Sequence, residues 1–262
     1  MQKLKKQNTS WGNVANWYEK VVSDDASYQN TVIKPNLLRM LNLKAGELVL
    51  DVACGSGFFA REFGCIGAKV TGVDIGQELI KIAKQQDPKG VYLVANAEKM
   101  ENIKSSTYDA AVIILALQNI KNYQNTVSEI SRILKPGGRC VVVLNHPAFR
   151  VPGKSSWEYD SKQNVQYRRV DSYLTESSKV MDMHPGKKVF NTTYSFHRPL
   201  QAYFKAFYKN QLVVENLEEW VSLKKSDSGP RAKAENIARK EFPLFMAIEL
   251  VKYEFRKRNI RN

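Results

Sequence analysis

Val49-Leu50-Asp51-Val52-Ala53-Cys54-Gly55-Ser56-Gly57-Phe58-Phe59-Ala60 reads as an apolar strand that runs into a glycine-punctuated turn and out into a helix. Gly55 and Gly57 tolerate the positive φ such a turn needs and let backbone come close to a ligand. The first turn of the following helix carries N–H groups without intrahelical partners. The turn is therefore suited to cradle something polar, although a short Gly-x-Gly turn also occurs as a plain structural corner. The next strand, Lys69 to Val73, ends in Asp74. An acid about twenty residues after the turn is where a dinucleotide-type fold holds ribose hydroxyls, which favours the ligand reading.

Outward from this turn, strand and helix alternate. Strand one (Glu47 to Val52) is followed by a helix from Phe58, the Lys69 strand, a helix over Gln77 to Gln85 and a short strand at Val91 to Val94. A strand over Tyr108 to Leu115, a helix over about Asn122 to Leu134, the turn Lys135-Pro136-Gly137-Gly138 and a strand over Cys140 to Leu144 complete the series. This alternation predicts a parallel sheet with helices on both faces and a ligand at the carboxyl ends of its strands. Before the turn, Trp11, Val14, Ala15, Trp17 and Tyr18 form an amphipathic stripe, and a second helix runs from about Ser27 to Leu43. Such stripes are usually core; placed here they also suit a lid over the ligand, with Tyr18 against it.

The chain has 262 residues, 43% of them hydrophobic and 25% charged, which fits one large domain or a domain with a cap. The longest apolar run, Ala110 to Leu117, is too short to span a bilayer, and no apolar stretch follows the charged N-terminus, so a soluble cytoplasmic protein is expected. Cys54, Cys65 and Cys140 lack paired spacing, so neither a disulfide framework nor a metal site is expected. The net charge of +14 leans toward the second half, with a cluster at Arg256, Lys257 and Arg258. A nucleic-acid partner is possible on that charge but not favoured over a solvated tail, because the other basic residues are scattered. No pattern specifies an oligomeric state.

Taken together, Leu50 to Gly57, Val73-Asp74-Ile75, Ala95-Asn96-Ala97-Glu98, Tyr108-Asp109-Ala110-Ala111-Val112 and Ile133-Leu134-Lys135-Pro136-Gly137-Gly138 resemble a class I S-adenosylmethionine (SAM)-dependent methyltransferase, in the branch similar to ubiquinone/menaquinone methyltransferases. Each motif alone is weak, but their order over residues 45–145 is specific. The resemblance implies an α/β, Rossmann-like, doubly wound sheet of seven mostly parallel strands with an antiparallel last strand. It also implies SAM as cofactor. Ala53, Gly55 and Gly57 would line the methionine moiety, with Asp51 and Cys54 in the same turn. Asp74 would hold the ribose and Ile75 pack on the adenine, with Asn96 and Ala97 at the adenine edge. Leu115 and Gln118 would close the site. Asp51 is as much a buried organiser of the turn as a contact. Ala53 and Asn96 depart from the glycine and aspartate usual there, and both leave the site usable.

The expected organisation is an N-terminal helical lid (1–44), a SAM-binding core (45–145), an inserted substrate cap (146–187) and a C-terminal part of the core sheet with a basic tail (188–262). Its sixth strand is expected at Lys188 to Phe196 and its last near Phe242 to Val251. The substrate is read as a small-molecule methyl acceptor under the cap, accepting at O, N or C. His146, which leaves the tip of strand five, is the first candidate base, followed by His197 and Tyr194. Arg150 and Arg198 are candidates to clamp a carboxylate or phosphate on the acceptor, or to pin the cap to acids such as Asp171; Trp157 is a candidate acceptor contact. Leu117-Gln118-Asn119-Ile120 lacks the Asn/Asp-Pro-Pro-aromatic tetrad of exocyclic base-amine methylation. RNA or protein methylation through the basic second half, and a non-catalytic SAM-binding subunit, are the alternative readings.

Overall fold

The computed structural model describes residues 11–183 and 192–253. The basic cluster at Arg256 to Arg258 and the start of the strand expected from Lys188 lie outside them. A short turn of helix leads into α1 (Ala15–Ser23), and a π turn over Gln29–Ile33 runs into α2 (Lys34–Leu41). Pro35 sits in the first turn of α2, where its missing N–H costs nothing, and Asn42 ends the helix in the left-handed conformation.

The alternation then unfolds as read: β1 (Leu48–Val52), α3 (Phe58–Cys65), β2 (Lys69–Asp74), α4 (Gln77–Gln86), β3 (Val91–Val94), β4 (Tyr108–Ile114), α5 (Tyr123–Ile133) and β5 (Leu134–Asn145). The Asn122 side chain caps α5 by accepting from the Asn125 N–H. After two hairpins come α6 (Leu200–Lys209), β10 (Leu212–Trp220), α7 (Ala232–Glu241) and β11 (Phe245–Lys252). Seven strands form one sheet in the order β10-β11-β5-β4-β1-β2-β3. β1 to β5 run parallel to one another, and β11 is antiparallel to both β5 and β10.

Successive residues of a strand point to opposite faces, and this sheet is covered on both. Leu50, Val52, Ile113 and Val142 pack with α5 and α6 on one face; Val49, Val112, Val141 and Val143 pack with α2 and α3 on the other. Phe63, with no exposed surface, contributes roughly 1.5–3 kcal/mol of burial to the second layer.

Two expectations are corrected. The strand read as the sixth of the core sheet is β9 (Thr192–His197), which pairs antiparallel with β8 (Ser177–Asp182) in a separate two-stranded sheet. β10 holds the core position instead. The segment without clean period is a pair of hairpins, the first being β6 (Ser155–Asp160) with β7 (Val165–Val170). The polar stretch before the last strand contains α7, which buries Ala234 and Ala238. Among the described residues no helix is long and apolar enough to cross a membrane, and no group of three or more His, Cys, Asp or Glu is placed to hold a metal ion.

Candidate functional site

Parallel register brings the carboxyl ends of β1, β2 and β4 to one edge, since Val52 pairs with both Val73 and Ile113. The backbone just beyond these ends is bent sharply: Ala53 and Leu115 hold φ of 58° and 52° without being glycine. Such conformations cost roughly 1 kcal/mol or more each and collect where a ligand is bound. Between these tips lies a cavity of about 860 Å³. Ala53, Gly55 and Asp74 form its floor, Asn96 and Ala97 one flank, and Leu115 with Gln118 the other. Ile75, 51% exposed, stands at its edge. Trp11 and Tyr18 close it from the N-terminal segment, and Met181 and Tyr194 from the second hairpin.

Asp74 is only 8% exposed, and its carboxylate accepts from the Gly55 N–H at 3.0 Å and the Gly76 N–H at 2.7 Å. Burial raises its pKa, and the N–H groups of Gly76, Gly55 and Ile75 oppose the rise. Each oxygen keeps a lone pair for a hydroxyl. Gln118 donates from Nε2 to the Leu115 carbonyl at 2.7 Å, which leaves its buried Oε1 without a partner among the described residues. Tyr18 lies against Gly55, where a Cβ would stand 3.1 Å from its ring. Burial, then Asp74 and Asp51, push its phenol pKa upward, so it stays a donor.

Three predicted cofactor residues stand behind this surface. Asp51 is buried, with Oδ2 unpartnered among the described residues; burial, then the charge of Asp74, push its pKa up to about 7. Cys54 turns its sulfur under the sheet, where a Cβ on Gly72 would stand 2.8 Å from it, and burial raises its thiol pKa well above the ordinary value. Gly57 starts α3 with φ 79°, and a Cβ there would stand 2.8 Å from the Tyr92 ring.

The catalytic and substrate candidates fare differently. His146 is 2% exposed and does not line the cavity. Its Nδ1 accepts from the Ala148 and Phe149 N–H groups at 3.3 and 3.4 Å, so Nε2–H donates to Glu219 Oε1 at 2.6 Å. Burial lowers its pKa against the opposing pull of Glu219. These bonds tie the loop leaving β5 to β10. His197 Nε2–H donates to the Tyr173 carbonyl at 2.6 Å, which fixes the tautomer with its lone pair on Nδ1; the residue lines a smaller adjoining chamber and not the main cavity. Tyr194 does line the cavity.

A side chamber of about 220 Å³ adjoins the main cavity and shares Gln118, Asn145, Met181 and Ser195 with it. Arg150 lines this chamber. Arg198 also reaches it, but its guanidinium is spent on the carbonyls of Leu117, Ile120 and Lys121 and lies 4.3 Å from the Tyr123 ring centre. Trp157 lines neither space; it packs edge-on against Phe242 and under Arg168. Sequence reasoning missed Asn145, Ser195 and Gln29 in the walls. Asn145, at the tip of the strand beside β4, was readable from the parallel order alone.

This donor set fits SAM. A carboxylate faces the hydroxyl position, bare backbone passes Ala53 and Gly55, and the cation at the glycine turn, Arg61, is held by the Ser56 carbonyl and Glu19 and does not line the cavity. The seven-strand order, the glycine turn and the acid ending β2 define a class I SAM-dependent methyltransferase fold. Residues 50–142 match the family described as a methyltransferase domain. The chain is 36% identical over 113 residues to a demethylmenaquinone methyltransferase from Tropheryma whipplei, a match covering 42% of this chain and 46% of that protein. The chain thus spans about half the length of the curated relatives it matches. In fold it is similar to a SAM-dependent methyltransferase from Mesorhizobium loti (TM-score 0.68, 23% identity, 83% of this chain and 96% of that one). A putative one from Listeria monocytogenes gives TM-score 0.66 and 24% identity over 84% of this chain and 96% of that one. Residues 50–142 thus match a methyltransferase domain, and the fold around them is that of SAM-dependent methyltransferases, which implies SAM as cofactor.

Proposed function

We propose that this protein transfers the methyl group of SAM to a small-molecule acceptor. The observation that carries this reading is that the two spaces share walls. The main cavity runs from Asp74 to Tyr194, and the chamber adjoining it across Gln118 and Asn145 has room for a second small molecule. When bound, SAM supplies a methyl group on a sulfonium that leaves as a neutral thioether.

The chain's own contribution is alignment and enclosure, the effects on which an in-line displacement depends. Asp74, held by two backbone N–H groups, would accept from the ribose hydroxyls without room to swing away. Gln118 is pinned through Nε2, so its free carbonyl oxygen is preset in the wall between the spaces. Tyr18 and Trp11 shield the glycine turn from water. Among the described residues neither His146 nor His197 lines the donor cavity, so neither is placed as a base toward it. Tyr194 is the remaining candidate to touch the acceptor.

Calorimetric titration with S-adenosylhomocysteine tests the donor site: the wild type binds, and Asp74→Ala loses about tenfold or more in affinity by losing hydrogen bonds to a charged group. An unchanged affinity refutes the assignment of Asp74. Labelled SAM incubated with a fractionated cell extract tests the acceptor. The label is expected in the low-mass fraction, and label in RNA or protein overturns the small-molecule reading.

A further inference from the structure

Arg150 makes no side-chain hydrogen bond or ion pair among the described residues, and it faces the side chamber. Arg168 lines the same chamber; it donates from Nε to the Phe149 carbonyl and from Nη2 to Ser155 Oγ, both at 2.8 Å, which leaves Nη1 free of these bonds. Burial, then the charge of Arg150, push the Arg168 guanidinium below its ordinary pKa. Arg198 adds a third positive charge, and a Cβ on Gly153 in the wall would stand 2.8 Å from Lys179 Nζ at the rim. Among the described residues no aspartate or glutamate lines the chamber. Asp171, three positions after Arg168, is paired with Arg169 at 3.1 Å. Like charges gathered in a partly enclosed space without a counter-ion are costly, and an oxyanion in that space relieves the cost with charge-assisted hydrogen bonds.

We propose that the side chamber is an oxyanion subsite: the methyl acceptor carries a carboxylate or phosphate held by Arg150 and Arg168, with its reacting atom toward Gln118 and Asn145. This rests on the methyltransferase reading and adds the acceptor's chemical class. The shared residues Gln118, Asn145, Met181 and Ser195 are where the anchored molecule meets the donor cavity.

The test is calorimetric titration of the full chain with benzoate, inorganic phosphate and the uncharged isostere benzamide, each with and without S-adenosylhomocysteine. Benzoate or phosphate is expected to bind about tenfold or more tightly than benzamide, and Arg150→Gln to weaken that binding by about tenfold. Arg150→Lys, which keeps the charge but loses the fork, is expected to fall between. S-adenosylhomocysteine affinity stays within about twofold in both variants, which shows that they are folded. A preference between benzoate and phosphate tells which oxyanion the acceptor bears. Equal binding of all three probes, or an Arg150→Gln variant that binds anions like wild type, overturns the proposal. Failure of the wild type to bind S-adenosylhomocysteine counts against the donor site only, because the arm without it reads the chamber separately.

Discussion

Replacing Asp51 with asparagine is expected to flatten the dependence of stability on pH. The carboxyl is 2% exposed, has one oxygen unpartnered among the described residues, and lies close enough to Asp74 to feel its charge. These conditions raise its pKa from 3.8 to about 7. The folded chain therefore holds the proton up to about 7, while the unfolded chain releases it near 3.8. Between those values the unfolded state binds fewer protons, so stability falls as pH rises, and the loss is complete above about pH 7. A pKa gap of about 3, at about 1.4 kcal/mol for each, amounts to about 4 kcal/mol, of which about 3 kcal/mol falls between about pH 4.5 and about pH 8. Asparagine keeps the shape and cannot ionise. Urea unfolding of both proteins at those two pH values and one ionic strength, without SAM, gives the comparison. Asp74 and the other carboxylates are common to both, so the difference isolates Asp51. Asp51→Asn should lose about 3 kcal/mol less than wild type across the span; parallel losses would refute the account of a buried, nearly neutral carboxyl behind the glycine turn.

Gly57→Ala forces a Cβ into φ 79° and to 2.8 Å from the Tyr92 ring, so it should cost about 1–3 kcal/mol in urea unfolding. Unaltered stability would show that the turn is relaxed. His146→Ala removes the bond to Glu219, strands the Ala148 and Phe149 N–H groups and deletes a ring 4.7 Å from Phe149, for about 2–3 kcal/mol of stability. Its S-adenosylhomocysteine affinity should stay within about twofold; a large drop would return the imidazole to the cavity. Because burial holds this histidine's pKa below 6.5, its contribution to stability is present above that value and is lost as pH falls through the folded pKa. Wild-type unfolding should show that loss and His146→Ala should lack it.

The donor half of the molecule was legible because its signals are local. A glycine turn after an apolar strand, an acid at the next strand's tip and a Lys-Pro-Gly-Gly turn after a helix each fix backbone at known spacing, and the parallel sheet then forces them together. The acceptor half depends on directions that spacing does not encode. Thr192 to His197 alternates equally well for a core strand or a hairpin, and its partner is decided by β8 rather than by its own pattern. His146 follows the tip of β5 as expected, yet its ring turns toward Glu219, 73 positions later in the chain. Arg198 sits close to the predicted place, but the free carbonyls around the turn after β4 claim its donors. α7 was hidden because only Ala234 and Ala238 are buried, too narrow an apolar stripe to stand out in a charged segment.

The separation of the hairpins from the seven-stranded sheet also bears on how readily this scaffold can be retuned. Met181 and Ser195 line both spaces and Tyr194 the main one, from strands whose ladder closes within their own pair. Their side chains can be exchanged without breaking any rung of the ladder that carries Asp74 and the glycine turn. A combinatorial library confined to these three positions therefore varies the shape of these spaces at little risk to the Asp74 side, which makes them the natural starting point for altering the acceptor under the proposed methyl transfer.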